Sequence, residues 1–324
     1  MCEEVFTMRY LVTGCAGFIG SAFCRYVTRS IPDATIIGVC RNSNQKHLRR
    51  LEDVLWNPRF TLVYKDLSKD SVLDLMDKTD YVVHFAARTH VDYSIKEPYP
   101  YLQDNVIASI NLFETAKKCP NLKRFISVST DEVYGEILTG SHTEESPSRP
   151  RNFYSASKNA VDGFALSYYH MFNVPIIVTR TENNYGIYQG TEKVIPVFVK
   201  KALSNEPLPV YGDGKHRRRW LYVDDHVRGI LHLIENGKSG DIYHIAGLEE
   251  LENLELAKRI LKILNKPETL ITFLPDHNIR PGHDRRYALD VTKLKSTGWA
   301  PKYNIETGLP EVVGWYAKNT WWLD

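Results

Sequence analysis

Short runs of β-branched and aromatic residues alternate along the chain with longer amphipathic segments. The first run spans residues 9–13, and after it Ile19, Phe23 and Val27 keep the spacing of one helix face. Short apolar strands separated by amphipathic helices are typical of a parallel sheet covered on both faces. The pattern therefore predicts an α/β fold with a doubly wound parallel sheet. The predicted strands cover residues 9–13, 34–40, 60–64, 81–85, 124–129, 174–179 and 241–245.

The chain is long enough for two domains. Its 324 residues are about twice the length of a typical domain. A stretch rich in Pro, Gly and Arg, residues 186–221, separates the last two predicted strands. We therefore predict a first domain over residues 1–185, with a segment near 222–247 returning to it, and a smaller C-terminal α/β lobe over residues 186–324.

Composition and charge exclude several classes of protein. Lys and Arg number 41 against 39 for Asp and Glu, a net charge of +2, so a nucleic acid is not expected as a partner. No apolar run is long enough to span a membrane, and Glu3 and Glu4 stand where a signal peptide would be basic and then apolar. We expect a soluble cytoplasmic protein. The five cysteines, an odd number without a C-x-x-C pair, and the scattered histidines predict neither a disulfide framework nor a metal site.

A glycine-rich turn follows the first predicted strand. It reads Gly14-Cys-Ala-Gly17-Phe-Ile-Gly20 and opens the first helix. Glycines at this spacing let the backbone approach a pyrophosphate, which sits at the helix N-terminus. A tight turn without a ligand is the alternative. The spacing is that of short-chain dehydrogenases and predicts a Rossmann-type dinucleotide-binding domain.

The end of the second strand bears on the choice of cofactor. An NAD enzyme usually carries an acidic residue there, on the ribose 2′-hydroxyl, but this chain has Arg41, Asn42 and Ser43 after Cys40. Arg41 can pair with a 2′-phosphate, helped by Asn42 and Ser43. We therefore expect NADP rather than NAD, unless Arg41 is only a solvated loop residue. Asp66, after the third strand, is either an acceptor for the adenine amino group or a helix cap.

Two further motifs carry candidate chemistry. Tyr154 and Lys158 are four residues apart, so both project from one helix face. An ammonium beside a phenol lowers the phenol pKa and lets it take the proton of an alcohol. The fifth strand leads into Thr130, Asp131 and Glu132. Two adjacent carboxylates are more than alcohol oxidation needs and suggest a second reaction with one acid and one base, although a cap and a solvated Glu are the alternative.

These motifs and others occur in the order seen in nucleoside-diphosphate-glucose 4,6-dehydratases, which are extended short-chain dehydrogenases. The chain resembles the dTDP-glucose group of that family over nearly its whole length. The segments that carry the resemblance are Gly14 to Gly20, His84 to Asp92, Ser129 to Gly135, Tyr154 to Lys158, Asn183 to Gly186, Glu192-Lys193, Val210 to Gly214, Trp220 to His226 and Arg280 to Asp284.

The resemblance implies a role for each catalytic candidate. Tyr154 deprotonates the sugar 4-hydroxyl while a hydride passes to the nicotinamide, Lys158 holds the ribose, and Thr130 bonds the 4-oxygen. Glu132 then removes the C5 proton and Asp131 protonates the departing 6-hydroxyl. The product is the 4-keto-6-deoxy sugar of dTDP-glucose or UDP-glucose.

The resemblance also implies binding residues. The cofactor contacts are Gly14, Gly17, Phe18, Ile19, Gly20, Arg41, Asn42, Ser43, Asp66, Leu67, Ala86, Ala87, Tyr154 and Lys158. The substrate contacts are Thr89, His90, Asn105, Asn183, Glu192, Lys193, Arg218, Arg280 and His283. Arg217 and Arg219 also fall where phosphates are expected. Members of the family commonly form homodimers through two helices, here over residues 99–118 and 154–171.

The chain departs from the family pattern at a few positions. Cys40 replaces the usual Asp at the end of the second strand, Arg88 replaces an acidic residue, and residues 216–219 read His-Arg-Arg-Arg. The first departure favours NADP, as in the related GDP-mannose 4,6-dehydratases. The alternative functions are a nucleotide-sugar 4-epimerase, a GDP-mannose-type 4,6-dehydratase and an NADP-binding redox sensor. The epimerase and the sensor have no use for the Asp131–Glu132 pair.

Overall fold

The computed structural model describes residues 8–41, 45–275 and 284–324. The strands are β1 (Met8–Thr13), β2 (Ala34–Cys40), β3 (Phe60–Tyr64), β4 (Tyr81–His84), β5 (Arg124–Thr130), β6 (Ile176–Thr181), β7 (Asn183–Tyr185), β8 (Leu208–Tyr211), β9 (Arg217–Tyr222), β10 (Ile242–Ile245), β11 (Glu250–Glu252) and β12 (Ile271–Leu274).

Helices connect most of these strands. They are α1 (Phe18–Ser30), α2 (Gln45–Arg49), α3 (Glu52–Leu55), α4 (Leu73–Met76), α5 (Val91–Lys96), α6 (Tyr99–Tyr101), α7 (Ala108–Ala116), α8 (Phe153–Phe172), α9 (Val194–Leu203), α10 (Val223–Asn236), α11 (Asn253–Ile263), α12 (Thr292–Ser296) and α13 (Ile305–Lys318). A π-helical segment, Leu102–Ile107, joins α6 to α7, and 3₁₀ turns cover Asp131–Tyr134, Glu268–Leu270 and Thr320–Trp322.

Seven of the described strands form one parallel sheet in the order β3-β2-β1-β4-β5-β6-β10. The predicted doubly wound sheet is confirmed, and all seven predicted strands lie in it within two residues of their expected bounds. The chain winds outward in both directions from β1 and β4. This reversal leaves a crevice at the carboxyl ends of β1 and β4, where open α/β sheets bind their ligands.

Alternating side chains of the strands fill a core on each face of the sheet. Tyr10 and Val12 pack with Phe23 of α1 and Ile230 of α10 on one face. Leu11, between them in the strand, points to the opposite face, which α7 and α8 cover. Burial on both faces explains why these strands are apolar throughout.

A second cluster of buried residues lies beyond the sheet. It is built from α9, α11 and α13 with two small sheets, β11-β9-β7 and β12-β8. Strand β10 returns from this region to the edge of the seven-stranded sheet, where it pairs with β6.

No helix of the described residues is long and apolar enough to cross a membrane. Four cysteines lie within the described part of the chain, and all four are buried thiols that are not in disulfides: Cys15, Cys24, Cys40 and Cys119.

Candidate active site

The glycine turn after β1 brings the backbone into close contact with the loop after β4. Gly14 has a φ of +69°, and a Cβ at this residue would lie 2.7 Å from the backbone nitrogen of Ala86. A Cβ on Gly20 would collide with the carbonyl oxygen of Gly14. Helix α1 begins after Gly17 with no side-chain cap. Its first N–H groups therefore remain available to an anion.

A cavity of about 490 Å³ opens beside this turn. The free helix terminus and the glycine cradle fit the pyrophosphate of a dinucleotide. Phe18, Ile19 and Gly20 form the adjoining first turn of α1, whereas Asn42 and Ser43 fall outside the described residues. The predicted cofactor residues that line the cavity are Gly14, Gly17, Arg41, Asp66, Leu67, Ala86 and Ala87.

Asp66 caps the turn that follows β3 and also lines this cavity. Its Oδ1 accepts hydrogen bonds from the backbone nitrogen and the hydroxyl of Ser68, at 3.1 and 2.8 Å. These bonds lower the pKa of Asp66, so the carboxylate is ionised at neutral pH. Asp66 does not cap the following helix, because α4 begins after Val72 without a side-chain cap. A contact with an adenine would use the other carboxylate oxygen.

Arg41 is paired with a carboxylate that the sequence did not suggest. Its Nη1 lies 3.0 Å from Oδ1 of Asp104, and its Nη2 lies 3.0 Å from Oδ2. Arg88 also donates to Asp104 through Nε. The guanidinium of Arg41 is thus held by an acidic neighbour within the cofactor cavity, which both residues line.

Helix α8 positions the tyrosine and the lysine. Asn152 caps its N-terminus, accepting a 2.8 Å hydrogen bond from the backbone nitrogen of Ser155, whose hydroxyl bonds back to Asn152. Starting the helix here places Tyr154 and Lys158 on its buried face, as predicted. Both side chains are under a tenth exposed.

The Thr130, Asp131 and Glu132 triplet sits where β5 gives way to a 3₁₀ turn. The Thr130 hydroxyl caps this turn, accepting from the Glu132 nitrogen at 3.3 Å and donating to Asp131 Oδ1 at 3.1 Å. Asp131 is buried, and its Oδ2 has no hydrogen-bond partner among the described residues. The triplet also acts on Tyr154, because the charges of Glu132 and Asp131 raise the pKa of its phenol.

The two carboxyl groups are held in different environments. Burial, together with the charge of Glu132, raises the pKa of Asp131 to about 7. Burial also raises the pKa of Glu132, but a 3.1 Å hydrogen bond from Asn152 Nδ2 and the positive charge of Arg218 oppose that shift. Asp131 is therefore the better proton donor of the pair and Glu132 the better acceptor.

Burial also shifts the pKa values of Lys158 and Tyr154 on α8. It lowers the pKa of Lys158 to about 8, against the opposing charge of Asp162 one turn further along the helix. Burial and the charges of Glu132 and Asp131 raise the pKa of Tyr154, whereas the Thr130 hydroxyl opposes this.

A second cavity, of about 420 Å³, lies between the sheet and the C-terminal lobe. Of the Thr130 to Glu132 triplet, Glu132 lines this cavity. It is large enough for a sugar nucleotide in part or whole. The predicted substrate residues that line it are Thr89, His90, Asn183, Glu192, Lys193 and Arg218.

Only the middle arginine of β9 reaches this cavity. Arg218 lines it and is held by the carbonyls of Arg285 and Asp284. Arg217 instead pairs with Glu252, and Arg219 approaches Glu182 at 3.7 Å. Alternation along a strand sends neighbouring side chains to opposite faces, which explains the difference. Arg280 and His283 fall outside the described residues.

Asn105 is buried away from the cavity wall and ties two segments together. Its Oδ1 accepts from the Arg88 nitrogen at 2.7 Å, and its Nδ2 donates to the Arg88 carbonyl and to Ser157 Oγ. It therefore links the loop after β4 to α8. It acts as a structural residue in this arrangement.

Three residues near the site were missed by sequence reasoning. Asn152 could have been found from the Asn-x-x-Ser cap pattern before α8. Tyr287, which lines the second cavity beneath Arg218, and Asp104 carry no local signal. Each comes from a distant part of the chain.

Comparison with known proteins places these features in a family. The family model described as GDP-mannose 4,6 dehydratase matches residues 11–312. A dTDP-glucose 4,6-dehydratase from Streptomyces niveus is 42% identical, the match covering 97% of this chain and 95% of the relative. Another from Actinoplanes sp. is 40% identical over 97% of this chain and 100% of its own.

Solved structures agree with this. The dTDP-glucose 4,6-dehydratase from Bacillus anthracis, in complex with NAD, has a TM-score of 0.88 at 38% identity and 98% coverage of both chains. That from Streptomyces venezuelae, with NAD and TYD bound, has a TM-score of 0.89 at 38% identity, covering 98% of this chain and 99% of its own. A UDP-glucuronic acid 4-epimerase from Bacillus cereus has a TM-score of 0.90 at 27% identity, and the match covers 96% of this chain and 99% of the epimerase. Backbone shape therefore does not separate dehydratase from epimerase.

The NADP preference that we expected from Arg41 is wrong. The dehydratase structures at 38% identity hold NAD. The physical reason is that the arginine was considered without its partner: Asp104 occupies both of its terminal nitrogens. A guanidinium paired in this way is not a free phosphate ligand.

Proposed function

Because the chain belongs to the nucleotide-sugar 4,6-dehydratase family, we propose that it converts dTDP-glucose to the 4-keto-6-deoxy sugar nucleotide with NAD. Relatives of that name match it over nearly their whole length. The reaction is a net loss of water, so the enzyme is a hydro-lyase.

The Asp131–Glu132 pair is the observation that carries this proposal. An epimerase of the same fold needs a tyrosine and a lysine to oxidise the sugar, but no acid and base for elimination. Here the two carboxyl groups interact with each other and with Tyr154. Their environments favour one protonated and one ionised group, as elimination of water requires.

The cradle formed by Gly14, Gly17 and the first turn of α1 would hold the NAD pyrophosphate. Asp66 and Leu67 would meet the adenine, and Ala86 and Ala87 would line the path toward the nicotinamide. When bound, NAD supplies a temporary acceptor for the hydride from C4, which it returns at C6.

Tyr154 acts in the first half of the reaction. Its phenol takes the proton of the sugar 4-hydroxyl, and Thr130 hydrogen-bonds the same oxygen. The positive charge of Lys158 stabilises the phenolate while the proton is held. Both side chains project from the buried face of α8, so their relative position is rigid.

Glu132 and Asp131 act in the second half. A 4-ketone acidifies the neighbouring C5 proton, which Glu132 removes from its place on the cavity wall. Asp131, with a pKa raised to about 7, gives a proton to the departing 6-oxygen. Glu132 returns a proton to C5 as the hydride is added at C6. Burial of Asp131 keeps bulk water from competing for its proton.

The nucleotide end of the substrate would occupy the second cavity. Arg218 and Lys193 supply positive charge for a pyrophosphate. Asn183, Thr89 and His90 lie nearer the sugar in this arrangement. Apolar side chains at the far wall, including Val197 and Phe198, suit a pyrimidine base.

We further propose that the protein is a homodimer built on two helical segments. Apolar side chains stand exposed on both, among them Tyr99 at 81% and Met171 at 71%. Leu102 and Phe164 add to this surface. Exposed apolar groups in this number are typical of a protein interface. Sedimentation equilibrium should give twice the mass of the chain, and a monomer at micromolar concentration would refute this.

The reaction is tested by mass spectrometry of the product. The protein with NAD is incubated with dTDP-glucose, and in parallel with UDP-glucose and GDP-mannose. Loss of one water from dTDP-glucose supports the proposal. An unchanged mass with altered sugar configuration would indicate an epimerase. Loss of water from UDP-glucose or GDP-mannose but not from dTDP-glucose would show that the substrate carries a different nucleotide.

A further inference from the structure

Asp104 is the centre of a three-residue ion-pair cluster at the cofactor cavity. It lies in the π-helical segment before α7, with its side chain 11% exposed. Its two oxygens accept from Nη1 and Nη2 of Arg41, at 3.0 Å each. Arg88 donates to the same carboxylate through Nε. Two cations thus hold one carboxylate in place.

The cluster stands where the ribose of a dinucleotide is recognised. Arg41 directly follows β2, whose end usually carries the acidic residue that binds the ribose 2′-hydroxyl. In this chain that strand ends in Cys40. Arg41 and Asp104 line the same cavity as the glycine turn. The second strand thus supplies no carboxylate to this region. Asp104, 63 residues after Arg41 in the chain, supplies one instead.

We propose that Asp104 is the residue that makes this protein prefer NAD over NADP; this rests on the dinucleotide-dependent function proposed above. Its carboxylate occupies the planar fork of Arg41, which is otherwise well shaped to bind a phosphate. A 2′-phosphate would bring roughly two negative charges against Asp104. The two hydroxyls of an unmodified ribose can instead donate to a carboxylate.

Arg88 has a positioning role in the same arrangement. Its backbone is held by Asn105, the neighbour of Asp104, through hydrogen bonds of 2.7 and 3.1 Å. Its Nε donates to Oδ2 of Asp104, the oxygen that also lies 3.0 Å from Arg41 Nη2. This gives a purpose to Arg88, which departs from the acidic residue usual in the family. The chain therefore departs from the family pattern at the end of β2 and at residue 88, and an arginine from each of these two segments binds Asp104.

The test is calorimetric titration of the full-length protein with NAD and with NADP. Asp104→Asn keeps the size of the side chain but removes the charge, which leaves Arg41 available to a phosphate. The ratio of the NADP dissociation constant to that of NAD should fall by about tenfold or more. Adding Arg41→Ala to this variant should remove the part of the gain in NADP affinity that comes from the released guanidinium.

Asp80 supplies a matched control. It is also clamped by two cations, with Arg9 Nε at 2.8 Å and Lys123 Nζ at 3.2 Å, but at the amino ends of β1 and β4. Asp80→Asn should leave the ratio unchanged even if it lowers stability. Asp104→Asn with an unchanged ratio would overturn the inference.

Parallel assays with dTDP-glucose separate this inference from the proposed function. If the wild type forms the dehydrated product but Asp104→Asn leaves the binding ratio unchanged, the proposed function stands and only the role of Asp104 is contradicted. A shifted ratio in a protein that forms no dehydrated product would support the role of Asp104 and contradict the dehydratase.

Discussion

Asn152 joins the start of α8 to the proposed base. Its Oδ1 caps the helix that carries Tyr154, while its Nδ2 donates a 3.1 Å hydrogen bond to Glu132 Oε2. One amide therefore sets both the register of the helix and the charge state of the carboxylate. The two halves of the proposed reaction are coupled through this residue.

Asn152→Asp should separate these two roles. Aspartate caps a helix as well as asparagine does, so stability should stay close to that of the wild type. The lost donor and the added negative charge should raise the pKa of Glu132. Because a base must be ionised, the rising limb of the rate against pH should move up by about one unit.

The rate profile with dTDP-glucose checks this, and Asn304→Asp is the control. Asn304 caps α13 through a 2.9 Å bond to the Thr307 nitrogen but does not face either cavity. Its variant should keep the wild-type profile. A profile of Asn152→Asp that matches the wild type would show that the amide does not tune Glu132.

Glu132→Gln should bind NAD but form dehydrated product far more slowly than the wild type. The amide cannot accept the C5 proton, and loss of a general base slows turnover by about 10²–10⁴-fold. Solvent deuterium should no longer enter C5. The exposed Glu145 in the same loop region gives a matched Glu145→Gln control with wild-type turnover. Normal product formation by Glu132→Gln would refute its assignment as the base.

Asp131→Asn should slow loss of water while exchange at C5 continues. An acid must be protonated, so wild-type elimination should fall as the pH rises through about 7. The variant should lack that dependence because an amide does not titrate. Rapid-quench analysis of water loss and of deuterium at C5 distinguishes the two steps, and equal loss of both would argue against a dedicated acid.

The same substitution should change stability in a pH-dependent way. The pKa of Asp131 is raised from 3.8 to about 7, so the folded state holds a proton that the unfolded state has lost. Wild-type unfolding free energy therefore contains a contribution that declines as the pH rises through this window. As the pH rises from 4 to 7, the unfolding free energy of Asp131→Asn should therefore increase relative to that of the wild type by roughly a few kcal/mol. Urea unfolding at several pH values measures this, and a constant difference would contradict it.

Gly20→Ala should weaken both folding and dinucleotide binding. The added Cβ would meet the carbonyl of Gly14, which cannot move without disturbing the turn. Overpacking of this kind costs about 1–3 kcal/mol. Gly314 in α13 has open space around its Cβ position, so Gly314→Ala should be neutral or stabilising. Thermal melts with and without NAD compare the two, and full NAD protection of Gly20→Ala would contradict the role of the turn.

Local patterns were enough to predict the framework. Apolar runs located all seven strands of the main sheet, because burial on both faces leaves little room for polar residues. The four-residue spacing of Tyr154 and Lys158 placed them on one helix face, since helix geometry alone decides that. The glycine turn and the Thr130 to Glu132 triplet are also contiguous in sequence. These features needed no knowledge of distant contacts.

Tertiary structure decided which of the charged residues are available. Arg41 was interpreted as a phosphate ligand because its partner Asp104 is 63 residues away. Arg217, Arg218 and Arg219 are alike in sequence, but the packing of β9 turns only the middle one toward the second cavity. Electrostatic roles depend on distance and burial, which are set by the whole fold. The sequence by itself therefore determined the elements and the chemical groups, and the fold determined their partners.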